Sequence, residues 1–177
     1  MGDEKKTELD ILGSKKGAVL IRYNGIFDLE RLIMVIREWY GKHYYDVAEK
    51  EHTEAVKPSG KEIVWEFEAM RKVTDYIIYK VNVKIIILRS IDVLVETEQG
   101  KEKKQQAEVE IQVRSFMQKN YKNTFKRKEE SKFQEFLRQV YEQFIARKTL
   151  QGYKDKVTME SLAFVEEIKE VLNVPRA

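Results

Sequence analysis

From Ile77 to Ile87 the chain alternates with a period of two. Ile77, Tyr79, Val81, Val83, Ile85 and Ile87 are apolar, while Lys80, Asn82 and Lys84 lie between them. Successive strand side chains point to opposite faces of a sheet, so this pattern predicts a half-buried strand with one apolar side. The same parity is carried past Arg89 by Ile91, Val93 and Val95, and it returns in Ala107, Val109, Ile111 and Val113. Residues 75–118 therefore read as a meander of antiparallel strands around which the rest of the chain is organised.

Opposed residues on paired strands share a face, so unbroken parity makes paired numbers across the hairpin at Gly100 sum to an even value. The expected loop is then odd in length. Five residues, 99–103, pair Val95 with Ala107, Val93 with Val109 and Ile91 with Ile111. A three-residue loop is the alternative, and a two-residue turn requires a bulge.

Upstream, residues 18–23 form a short apolar strand ended by Asn24-Gly25. Asp28 is placed to cap a helix, with Phe27 and Leu32 as a hydrophobic staple. That helix puts Leu29, Leu32, Ile33, Ile36, Trp39 and Tyr40 on one face, and Gly41 is expected to end it in the left-handed conformation. Residues 43–52 read as a polar edge strand and 53–60 as a loop. Residues 62–68 alternate again, with Ile63, Trp65 and Phe67 on one side, and 69–74 turn the chain into the central strands.

Downstream, 119–130 is a basic connection. Ser131 and Gln134 form a capping box for a helix carrying Phe133, Phe136, Leu137, Val140, Phe144 and Ile145 inward, and Gly152 is expected to break it. A last helix over 158–172 is expected to turn Met159, Leu162, Ala163, Val165, Ile168 and Leu172 inward, with Pro175 preventing extension.

A sheet with one apolar face needs a cover. The predicted fold is α+β: a two-layer sandwich in which an antiparallel meander of about five or six strands is covered on one face by three helices. Its order of elements resembles that of helix-grip, lipid-transfer-like folds, in which a curved sheet wraps a C-terminal helix. The likeness is one of topology alone, and fold-level analogy does not license function. Residues 17–177 form one domain. Residues 1–16 are a mobile leader, with room for a short docked segment.

Composition narrows the function classes. At 177 residues, 42% apolar and 36% charged, the chain is a folded domain. A net charge of +3 gives no overall polyanion signal, so a nucleic-acid reading must rest on a local patch. The absence of cysteine removes disulfides, thiolate metal sites and cysteine nucleophiles, and it fits a cytoplasmic protein. No apolar run spans a membrane and no signal peptide is evident. Gly13-Ser14-Lys15-Lys16-Gly17 lacks the spacing of a phosphate loop and reads as a plain turn.

Four candidate sites emerge. His52 lies among Glu49, Glu51 and Glu54, but a solvated edge strand accounts for the same residues, so no metal site and no cofactor is assigned. Glu66, Glu68, Asp92, Glu96, Glu108 and Glu110 share the parity of the polar face, where Lys80, Lys84 and Arg114 make cross-strand ion pairing the default over acid–base chemistry. That face also carries Val64, and Ile78, Ile86, Leu88, Leu94 and Phe116 as interface candidates. A strand apolar on both sides wants a second cover, which is either a partner, most simply another copy of the chain, or an additional local covering segment. Finally, eleven basic against five acidic residues lie between Met117 and Lys156. Among them Lys119, Tyr121, Lys122, Phe125, Lys126, Arg127 and Lys128 combine phosphate-binding charge with stacking rings.

The leading expectation is a non-catalytic binding or assembly module that contacts protein, with itself as partner. The alternatives are nucleic-acid or ribonucleoprotein association through 119–128, and carriage of an apolar ligand lined by Trp39, Trp65, Phe136 and Phe144.

Overall fold

The computed structural model describes residues 8–12, 18–97, 100–119, 136, 140 and 147–174. Its strands are β1 (Glu8–Leu12), β2 (Val19–Phe27), β3 (Asp46–Lys57), β4 (Gly60–Lys72), β5 (Ile77–Thr97) and β6 (Gly100–Lys119), and its helices are α1 (Leu29–Lys42) and α2 (Arg147–Val171). The class is α+β with one antiparallel sheet, as its alternating strands require. Two helices are described, where three were expected. The helix expected from Ser131 falls outside the described residues except for Phe136 and Val140, and Phe136 is exposed where an inward position was expected.

Strands β3 to β6 form the expected meander, but the first two strands do not extend it in sequence order. Both pair with the last strand, β2 opposite residues 105–113 and β1 opposite 115–118, so the sheet runs β1/β2–β6–β5–β4–β3. A segment within the expected leader is thus a sheet strand, and β2 continues through Asn24-Gly25 to Phe27. The loop expected over 53–60 shrinks to Pro58-Ser59, because β3 extends to Lys57.

The inner face of the sheet holds the core. Ile63, Phe67 and Ala69 of β4, Tyr79 to Ile87 at odd positions of β5, and Ala107 to Val113 at odd positions of β6 are all buried. Helix α1 lays Leu32, Ile33, Ile36, Trp39 and Tyr40 against them, the face its 3.6-residue period defines. Asp28 caps this helix as expected, its carboxylate accepting from the Arg31 backbone N–H at 2.8 Å.

Gly41 stays helical. The left-handed residue is Tyr44 (φ 58°), and the Tyr45 and Tyr44 N–H groups donate back to the carbonyls of Tyr40 and Gly41. Asn173 (φ 54°) closes α2 in the same way.

Gly152 does not break a helix either, since α2 runs straight through it. The inward stripe of α2 is Val157, Ser161, Phe164, Val165, Ile168 and Leu172, whereas Met159, Leu162 and Ala163 are exposed. The stripe is rotated from the expected one. Phe164 anchors it, stacked on Trp39 with ring centroids 4.1 Å apart.

Candidate interaction surface on the outer face of the sheet

The decisive local feature lies in β5. Leu88 pairs with Glu108 and Ile91 with Gln106, so Arg89 and Ser90 together stand against Ala107. This is a β-bulge, and Arg89 adopts a left-handed φ of 56° to make it. Ser90 turns into the core at 3% exposure. Gly60 seats against this bulge: it has φ 122°, and a Cβ on it would sit 2.8 Å from the Arg89 carbonyl carbon.

The bulge reverses every side chain beyond it. Thr97 stands opposite Gly100, so the loop has two residues and Val95, Val93 and Ile91 pair with Glu102, Lys104 and Gln106. The odd-length loop and its pairings are therefore corrected, and the cause is the bulge that a two-residue turn requires. Ile91, expected inward, is 49% exposed on the outer face. Leu94, an outer-face interface candidate, moves to the opposite side near the hairpin tip and is highly exposed.

Across the outer face the register builds rows. Ile26, Gln106 and Ile91 form one, Asn24, Glu108 and Leu88 the next, and Arg22, Glu110, Ile86 and Val64 a third. Ile86, Leu88 and Ile91 thus form an apolar column down β5. Beside it is an open depression of about 370 Å³ lined by Arg22, Asn24, Ile86, Leu88, Glu108 and Glu110. Leu88 is 39% exposed in the isolated chain. Ile78 and Phe116 do not join this column. They lie at the far end of the sheet, where Ile78 is buried and Phe116 half-buried.

Charges of both signs frame the column. Arg22 pairs with Glu110 at 3.1 Å, Arg89 with Glu108, and Lys84 with Glu66 at 3.2 Å and Glu51 at 3.5 Å. Hydrogen bonds from Gln112 and then Arg22 hold the Glu110 carboxyl below its usual range, and the bond to Glu66 raises Lys84. Lys50 likewise pairs with Glu68, whereas Glu96, which pairs with Lys101, lies beyond the bulge on the side of Leu94. Asp92 follows the bulge to the inner side, where the Lys103 ammonium, 2.9 Å away, lowers its pKa. The face is laced by cross-strand ion pairs, as its parity predicted.

The other candidates disperse. His52 lies flat on Trp65, with centroids 4.1 Å apart, while Glu51 points to the outer face toward Lys84, so Glu51 is parted from His52, Glu49 and Glu54. No group of three or more His, Cys, Asp or Glu suited to a metal occurs among the described residues. Of the basic segment only Lys119, half-buried at the end of β6, is described; Tyr121, Lys122, Phe125, Lys126, Arg127 and Lys128 lie outside the described residues, as does Phe144. Trp39 is enclosed by Phe164, Tyr45 and Tyr40.

Sequence reasoning missed one polar cluster. Arg71, at the inner end of β4, donates to the Glu160 carboxylate at 2.6 Å and to the His43 carbonyl at 2.8 Å, and lies over the rings of Tyr45 and Tyr79. Both partners of the ion pair are largely buried, and Tyr79 reaches α2 through the Tyr153 carbonyl at 2.7 Å. The cluster ties α2 to the sheet. The odd parity of Arg71 with Phe67 and Ala69 was the available signal.

No helix among the described residues is long and apolar enough to cross a membrane. No protein-family model, curated protein or solved structure matches the chain.

Proposed function

We propose that the protein is a non-catalytic assembly module whose outer sheet face binds a second copy of the chain. The observation that carries this reading is the bulge at Arg89-Ser90, which brings Ile91 into line with Ile86 and Leu88 on the face opposite the core. A strand apolar toward both sides gains free energy from a second cover at roughly 25 cal/mol per Å² of apolar surface. The mixed rim of Arg22, Glu110, Arg89 and Glu108 suits a two-fold contact, where each sign meets its opposite on the partner. The Glu110 carboxyl, held low by the bonds from Gln112 and then Arg22, is ionised at neutral pH and makes a poor general acid, which favours binding over acid–base catalysis at this face.

Sedimentation equilibrium tests the reading. The parent should show a concentration-dependent mass above 21.1 kDa. Ile86→Lys should weaken association at least about tenfold, equivalent to about 1.4 kcal/mol, without loss of fold. A parent that stays monomeric at high micromolar concentration would overturn it.

A further inference from the structure

The sheet has two outer edges among the described residues, and they are built differently. β3 pairs only with β4, has every residue exposed, and carries six charged side chains among twelve: Asp46, Glu49, Lys50, Glu51, Glu54 and Lys57. It also breaks register between Glu49 and Glu51. Charge and bulging are how an edge strand is kept from pairing with another chain. β2 has neither device. Among the described strands it pairs only with β6, runs nine residues in unbroken register, and carries the single charge of Arg22. Two of its large apolar side chains, Leu20 and Ile26, are 43% and 44% exposed.

The strand also reads two-fold about its centre. Set antiparallel to a copy of itself with Tyr23 opposite Tyr23, it places Leu20 opposite Ile26 and Arg22 opposite Asn24 on the outer face. On the inner side Ile21 meets Gly25 and Val19 meets Phe27. Both exposed apolar residues gain an apolar partner, and no like charges stand directly opposed. The Tyr23 ring lies over Gly25, its hydroxyl oxygen 2.7 Å from where a Cβ would stand, so the facing Ile21 would meet that ring. The Ile26 carbonyl accepts the Tyr23 hydroxyl at 2.9 Å and keeps a second lone pair for a neighbouring strand.

We propose that the β2 edge is a second self-association site, joining two chains β2 to β2 about Tyr23 into one continuous sheet. This contact is separate from the outer-face contact. Two isologous contacts on one chain give a closed tetramer when their axes cross at right angles.

Because the chain has no cysteine, an introduced thiol reports without background. Leu20→Cys and Ile26→Cys should each remain uncrosslinked when oxidised alone, since like positions lie six residues apart along the strands, about 20 Å. Mixed and allowed to exchange, the two variants should form a disulfide dimer of twice the 21.1 kDa chain, because directly opposed residues lie within disulfide reach. The crosslink should survive Ile86→Lys in both variants, so the two proposed contacts fail independently. In the parent, amide hydrogen exchange across 19–27 should slow as concentration rises from low to high micromolar. A mixture that stays monomeric, crosslinking as strong within one variant as in the mixture, or exchange independent of concentration would overturn the edge contact.

Discussion

Val83 sits at the centre of the inner face, opposite Phe67 of β4 and Val113 of β6, all of them buried. Aspartate is close to valine in size, so Val83→Asp changes chemistry more than volume. Burying the neutral acid without partners costs about 1–3 kcal/mol. Ionisation adds more, because a buried carboxyl reaches a pKa of about 8 against about 3.9 in the unfolded chain. At about 1.4 kcal/mol per unit, the gap between 3.9 and pH 7 amounts to about 4 kcal/mol. The total, about 5–7 kcal/mol, is comparable with the whole stability of a domain, about 5–15 kcal/mol. The sign follows from a folded-state pKa above the unfolded one: the variant is at its most stable below about pH 4 and loses stability as pH rises toward 8. Val83→Asn has the same shape and cannot ionise. Urea unfolding of both variants should show the aspartate losing about 2.7 kcal/mol more than the asparagine between pH 5 and pH 7. Parallel pH profiles would mean that water reaches position 83 and that the inner face is not the core.

Phe164→Ala should cost about 3–5 kcal/mol, since it removes a fully buried ring stacked on Trp39; urea unfolding measures it, and a loss below about 1 kcal/mol would show that α2 does not depend on that stack. Burial, reinforced by Glu160, pushes the Tyr79 phenol up to about 12, and burial also raises Tyr40 and Tyr45. The unfolded chain releases these protons near pH 10, so stability is complete below that value and is lost as pH climbs through about 12. Absorbance at 295 nm should show these three of the nine tyrosines ionising only as the circular dichroism signal collapses; nine ordinary titrations in a folded protein would refute the burial.

Local periodicity made α1, its Asp28 cap and the odd-numbered core of β5 and β6 legible, because each depends on neighbours within four residues or on strict alternation. What escaped depends on longer range. That β1 and β2 pair with β6 is decided by which edge of the meander is free, and nothing inside either strand encodes it. Gly152 reads as a breaker from propensity, but about 1 kcal/mol of glycine cost is small beside the burial of Val157, Phe164 and Ile168 farther along α2. The rotated stripe of α2 follows from that same misplaced start: counted from Val157, the buried residues recur at three- and four-residue steps through Ser161 and Phe164. Tyr44 takes the left-handed position that Gly41 was expected to hold, and Asn173 takes it at the end of α2, because the returning N–H bonds outweigh a modest steric cost.

The candidate surface was legible only in halves, and one residue separates them. Ile86 and Leu88 stand out because they fill both sides of a strand that needs only one apolar side. Ile91 belongs with them, yet parity assigned it to the core, since alternation read across Arg89-Ser90 assumes one residue per step on both strands. The bulge adds a residue on β5 alone, turns Ser90 inward and sends Ile91 outward. The sequence carried a trace of this. A charged and a small polar residue end the apolar run Ile85–Leu88, and the even-sum rule itself allowed the two-residue hairpin only with a bulge. Deleting Ser90 would restore alternation and return Ile91 to the inner side, leaving Ile86 and Leu88 without their third member. The outer face therefore owes its extended apolar column to a single inserted position, while the core beneath it is set by residues on which that insertion has no effect.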